Sequence, residues 1–169
     1  MRIPILFITA ILLVASVAHG EDSTAKATFD ELKTLVGDWK SSNLKSATSI
    51  NYRLIANGSA LVETWTMSPS RGSMTVYTMD GKRLIATHYC PQGNAPRLEL
   101  ISTGKSGVHY FLFFDGSNIQ DASSSHEHAF SISIEHPGRL VRSETYISNG
   151  STYDPVTDKG QSESFLRLN

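Results

Sequence analysis

From Trp39 onward the chain is cut by turn signals into short runs of β-branched, aromatic and aliphatic residues, and this punctuation constrains the fold more than any other feature. Asn57-Gly58, Asp80-Gly81, Asp115-Gly116 and Asn149-Gly150 each favour positive φ at a turn centre, and so tight antiparallel hairpins. The runs place strands near 38–46, 49–56, 59–67, 73–79, 82–90, 97–103, 107–114, 128–135, 139–147 and 161–168. Laid in an open sheet, so many short strands would leave exposed edges, which closure into a barrel removes. The expected fold is all-β: an antiparallel barrel of about ten strands with one short N-terminal helix. The helix is read from Thr28-Phe29-Asp30-Glu31, which has the spacing of a capping box. Leu32, Leu35 and Val36 follow at helical intervals, and Gly37 supplies a left-handed cap.

Hairpin register carries the reading to individual side chains. If Asn57-Gly58 is a two-residue turn, Ala56 faces Ser59, Leu54 faces Leu61, Tyr52 faces Glu63 and Ile50 faces Trp65, all on one side of the sheet. That side is apolar apart from Glu63, whereas the other carries Asn51, Arg53, Thr64 and Thr66. Glu63 is therefore expected inside, where a carboxyl group needs a partner. The Asp80-Gly81 hairpin puts Thr75, Tyr77, Leu84, Ala86, His88 and Cys90 on one side and Met74, Val76, Ile85, Thr87 and Tyr89 on the other. Arg83 opposite Thr78 on the second side turns the His88 side inward.

The first twenty residues are set apart. Arg2 precedes an apolar run from Ile3 to Ala18 that ends at Ala18-His19-Gly20, with small residues at the −3 and −1 positions, the pattern of a secretory signal peptide over 1–20. The run is shorter than a membrane span and contains Pro4, so no stable membrane insertion is expected after cleavage. Residues 21–27 read as a flexible lead-in and 28–169 as one barrel domain. The expected localisation is periplasmic or secreted. Cleavage changes the balance from 15 basic and 16 acidic residues to 14 and 16, a net charge of −2, which offers nucleic acid no electrostatic footprint. Cys90 is the sole cysteine, so an intramolecular disulfide is impossible and stability rests on packing.

Gly37-Asp38-Trp39 after a short helix, a meander of hairpins, and Arg167 in the last strand resemble the lipocalin, or calycin, arrangement. More specifically, Glu63-Thr64-Trp65, the stretch from Thr75 to Gly81, Thr87-His88-Tyr89-Cys90 and Gly93-Asn94-Ala95-Pro96-Arg97 resemble a group of small exported bacterial proteins of unknown function with a lipocalin-like barrel. The resemblance covers most of residues 29–168. It implies the fold, with Arg167 packed over Trp39 at the closed end, and implies little about activity.

The residues leave several chemistries to weigh. Tyr52, Glu63, Trp65, Tyr77, His88, Cys90 and His128 are the candidate lining of a pocket for a small apolar or amphipathic ligand, while Trp39 and Arg167 are expected to be structural. The alternatives are an enzyme using Glu63 and His88 as an acid–base pair, and a structural or interaction module with a solid core. The non-enzymatic reading takes precedence, since no Gly-x-Ser-x-Gly elbow and no phosphate-binding glycine loop occurs. His88 with Cys90, and His126 with His128, share strand faces, but their spacing matches no established zinc motif. Cys-x-x-Cys-His is absent, which excludes covalent haem, and His128 and His136 sit in no recognisable haem-binding context. No cofactor is expected, and the sequence leaves ligand and oligomeric state open.

Overall fold

The computed structural model describes residues 20–101, 107–121, 123–136, 138–155, 157–158, 160 and 161–168, with the side chains of residues 20–23 and of His136 outside that description. Of the expected signal peptide, only Gly20 falls within it. Ten antiparallel strands follow one helix: α1 (Gly20–Leu32), then β1 (Gly37–Ser41), β2 (Ser49–Ile55), β3 (Ala60–Ser68), β4 (Arg71–Asp80) and β5 (Arg83–Tyr89). The second half comprises β6 (Ala95–Ile101), β7 (Val108–Ser117), β8 (His126–His136), β9 (Arg139–Ile147) and β10 (Gln161–Arg167). Each strand pairs with the next, and β1 pairs with β10 to close the barrel.

The helix starts earlier than the sequence reading placed it. Residues 21–27, expected as a lead-in, are helical, and Thr28 and Glu31 lie mid-helix rather than at its cap. They face β7 instead: Thr28 Oγ1 lies 3.4 Å from His109 Nδ1 and Glu31 Oε2 lies 3.0 Å from His109 Nε2. Ala25, Thr28, Phe29 and Leu32 recur at helical spacing and are buried, so α1 plugs one end of the barrel with its apolar stripe. At that closed end Trp39 is wholly buried and donates from its indole to the Leu35 carbonyl at 2.7 Å. The Arg167 guanidinium lies 4.5 Å from the Trp39 ring centre and donates to the carbonyls of Val36 and Thr34 at 2.7 and 2.6 Å. One side chain thus satisfies two carbonyls of the segment linking helix to sheet and caps the core.

The β2–β3 register is the expected one, with Tyr52 opposite Glu63, Leu54 opposite Leu61 and Ile50 opposite Trp65. The turn differs. Ladder pairing ends at Ile55 and Ala60, and Ala56, Asn57 and Gly58 all take positive φ, so Ala56 and Ser59 are loop rather than a facing pair. In β4–β5, Thr75, Tyr77, Leu84, Ala86 and His88 are buried, so that side faces inward. Cys90 is not a core strand residue beside His88, since it lies beyond β5 in the turn to β6 and is half-buried, its N–H bonded to the Asn94 carbonyl at 3.1 Å.

One of the four turn signals proves to be something else, and another is a turn, closed by Ser151 N–H on the Ser148 carbonyl at 3.0 Å, without a tight hairpin around it. Asp115-Gly116 lies within β7, where a bulge lets Asp115 pair with Arg97 while Phe113 pairs with Leu98. A Cβ at Gly116 would sit 2.8 Å from the Ala95 carbonyl oxygen, so glycine serves close strand approach there, not a turn. Asn149-Gly150 begins the long connection from β9 to β10, and the Asn149 side chain accepts from the Ser125 N–H at 2.6 Å, tying two loops together.

The meander sends the connections 42–48, 69–70, 90–94, 118–125 and 148–160 to the end opposite α1. β1 is short there, and its ladder with β10 covers only Phe165 to Arg167. The upper part of β10, from Gln161 to Ser164, borders an opening into the barrel.

Candidate functional site

Packing fills the closed half of the barrel with Leu32, Leu35, Trp39, Ile50, Leu61, Leu84, Leu98, Phe165 and their neighbours. Phe111 and Phe130 stack at 4.6 Å, and Trp65 meets Phe165 edge-on at 5.3 Å. Between this apolar layer and the open end lies a buried polar cluster built on Glu63. Its Oε1 accepts from the indole of Trp65 and from Arg142 Nε at 3.1 Å, and its Oε2 accepts from the Tyr77 hydroxyl. The carboxyl group that hairpin arithmetic turned inward therefore finds its charged partner on β9, 79 residues later in the chain. Arg142 is 1% exposed and its guanidinium lies 4.0 Å from the Phe130 ring centre.

His88 has a different acid. Its Nδ1 lies 2.9 Å from Thr75 Oγ1 and 3.4 Å from Glu127 Oε2, and Glu127 is fully buried. No hydrogen bond joins Glu63 to His88 among the described residues, so the expected acid–base couple is divided between two clusters with other partners. Burial, and next the Arg142 charge, hold the His88 imidazole down to about 4, which keeps it neutral near pH 7. Burial and the neighbouring Glu144 charge push Glu127 well above the usual carboxyl range. Glu144 is raised as well, by burial and by Glu63, against the opposing pull of Arg142, whose Nη2 lies 3.8 Å from Glu144 Oε1. Burial works against the Arg142 charge, yet Glu63 foremost carries its pKa well above the usual value. Burial and Glu63 likewise hold the Tyr52 and Tyr77 hydroxyls in their protonated forms.

Two adjoining cavities open above this cluster. One, of about 560 Å³, is lined by Thr48, Met67, Arg71, Tyr146, Asp158 and others. The second, of about 500 Å³, lies beside the upper part of β10 and includes Ser42, Asn43 and Arg142. Trp65, Glu144, Gln161 and Glu163 line both. Of the residues named from sequence, Trp65 reaches these cavities, while Tyr52, Glu63, Tyr77 and His88 are at most 1% exposed in the packed layer.

His128 stands elsewhere. Its ring lies 4.5 Å from Tyr153 and 5.1 Å from His126, whose Nε2 is 3.0 Å from His128 Nδ1. Burial lowers the pKa of both imidazoles. Among the described residues no three His, Cys, Asp or Glu side chains gather as a metal site. His136 lies in β8, and its side chain is outside the described set.

Arg142, Glu127, Glu144 and Glu163 were not singled out in the sequence. In β9, Leu140, Arg142, Glu144 and Tyr146 share the inward side and Val141, Ser143 and Thr145 the other, so two charged residues stand on the side that an apolar face usually occupies. Their only local signal is an Arg and a Glu two apart on a face that also carries Leu140 and Tyr146. Glu127 is hidden further, because a bulge between Glu127 and Ala129 shifts the register and lets both Glu127 and Phe130 be buried. No protein-family model matches the chain and no curated protein matches it.

Proposed function

We propose that this chain is an exported, non-enzymatic barrel of the lipocalin-like kind that holds one small amphipathic molecule at its open end. The observation that carries the reading is the shared cavity in which Trp65 and Met67 stand beside Arg71, Glu144, Gln161 and Glu163. Its volume of about 560 Å³ suits a single small ligand, and its lining sets the apolar surface of Trp65, Met67 and Tyr146 among more numerous polar side chains, which favours an amphipathic molecule over a purely apolar one. The polar cluster beneath, built from Glu63 and Arg142, fixes the Trp65 ring through its indole N–H and so gives the cavity a rigid wall. Export rests on Arg2, the apolar run to Ala18 and the small residues that follow. Periplasmic or secreted release fits a fold whose stability requires no disulfide.

Native mass spectrometry and a thermal-shift screen over small aromatic and aliphatic amphiphiles test the binding reading. A 1:1 complex with a raised melting temperature is expected, and it should be lost in Met67→Trp, which fills the cavity. Binding that survives Met67→Trp unchanged places the ligand elsewhere. Intact mass of the exported protein checks export, a chain beginning at Glu21 being the expected product.

A further inference from the structure

Above the packed layer, two neighbouring strands turn acids inward. The alternation that buries Leu140 in β9 and Phe165 in β10 also sets Glu144 and Glu163 on the inner side, and both line the two open-end cavities. Gln161 is opposite Glu144 in the β9–β10 ladder, which makes Glu163 the diagonal neighbour of Glu144, about 7–8 Å away. At that spacing one cationic group can meet both. Neither carboxyl group takes a hydrogen bond among the described residues, and the Glu144 side chain keeps 19% of its surface accessible, so it is partly desolvated yet open to the cavity. Two cations line the cavities among the described residues, and neither serves these acids well. Arg142 lies 3.8 Å from Glu144, beyond hydrogen-bonding reach, and its Nε is bonded to Glu63 in the layer beneath. Arg71 is exposed, where water screens any ion pair it makes. A divalent metal ion is a poor occupant, since no three His, Cys, Asp or Glu side chains converge among the described residues. A carboxylic acid would meet two like charges. Trp65, Met67 and Tyr146 in the same lining supply surface for an organic body.

We infer that the open-end site takes an organic cation: a primary ammonium held between Glu144 and Glu163, on a small aromatic or aliphatic body that lies against Trp65, Met67 and Tyr146. This rests on the binding role proposed above and names the charge of the ligand. The ammonium also meets a need of the protein, since burial, Glu63 and Glu163 disfavour the charged form of Glu144, which Arg142 alone offsets incompletely. In a partly desolvated cleft that pairing is worth more than it would be in water.

The test uses isothermal titration calorimetry of the mature chain with three probes that share one ring and differ in charge: phenethylamine, 2-phenylethanol and 3-phenylpropionate. Phenethylamine is expected to bind about tenfold or more tighter than 2-phenylethanol, the scale of one charged hydrogen-bonding contact, and 3-phenylpropionate more weakly than either. Glu144→Gln and Glu163→Gln should each narrow the ratio between the amine and the alcohol, with circular dichroism confirming the fold of each variant. If Glu144→Gln does not fold, Glu163→Gln decides alone. Phenethylamine binding no tighter than 2-phenylethanol, or a ratio unchanged in folded Glu163→Gln, overturns the cation site and leaves the open-end binding role standing. The same holds if the broader amphiphile screen yields only neutral or anionic ligands, whereas failure of the whole screen removes both.

Discussion

The residue that organises this molecule is Glu63, because a carboxyl group placed in a barrel core obliges the fold to bring it donors. Trp65, Tyr77 and Arg142 answer that need from three strands. Removing one member of a buried ion pair strands the other, so Glu63→Gln or Arg142→Met should each destabilise by about 3–5 kcal/mol in urea unfolding. The double variant should recover part of that loss, a coupling that independent sites would not give. The second cluster predicts a pH dependence with two limbs. His88 has a folded pKa of about 4 against an ordinary 6.5, so the unfolded chain binds the proton first and stability falls as pH drops from about 6.5 toward 4. The contribution reaches about 3 kcal/mol at most. Glu127 acts in the opposite sense: its folded pKa is raised, so the stability it contributes is present below its ordinary 4.5 and fades as pH rises through its folded value. Chemical denaturation across pH should show the alkaline loss shrink in Glu127→Gln and the acid loss shrink in His88→Asn.

At the scale of elements, the barrel depends on a plug and on close strand approach. Trp39, Arg167 and the turn after α1 form one unit, in which guanidinium, indole and three carbonyls are mutually satisfied. Arg167→Met should lower stability by about 2 kcal/mol, through the lost hydrogen bonds and cation–π contact. Trp39→Ala should cost about 3–5 kcal/mol through the cavity it leaves. Neither change touches the cavities at the open end, so ligand binding by the folded variants should persist; unchanged melting with abolished binding would falsify their structural role. Gly72 offers a sharper case. A Cβ there would lie 2.5 Å from the Trp65 carbonyl oxygen, in backbone that cannot simply rotate away. Gly72→Ala is therefore expected to disrupt β3–β4 pairing next to Trp65, seen as lost stability and altered Trp65 fluorescence.

The molecule as a whole is one core closed by its own ladder, with Trp39 at the plugged end and Trp65 at the open end. Such a core should unfold in one cooperative transition. Trp39→Phe and Trp65→Phe leave one indole each, and in each variant fluorescence and circular dichroism should report a single shared midpoint. Reductant should leave those midpoints where they are, since Cys90 has no intramolecular partner cysteine. Separate midpoints in one variant would show two ends that fold independently.

The sequence by itself determined the elements: ten strands, one helix, the inward side of β2–β3, and the burial of Glu63 with Tyr52, Tyr77 and His88. Those features follow from local rules, since turn residues set hairpins and a period of two assigns each side chain a face. It misplaced the helix start, because Thr28 and Glu31 satisfy a capping spacing whose donors the longer helix already satisfies. It also took Asp115-Gly116 for a turn, because a positional need for glycine at a bulge looks the same in sequence. What the tertiary structure alone decided is who meets whom. Arg142 reaches Glu63 and Glu127 reaches His88 only through barrel closure and a bulge in β8. The open-end cavity exists because β1 is too short to cover β10. Closure, bulge parity and strand-end mismatch are relations between distant segments, and no local pattern encodes them.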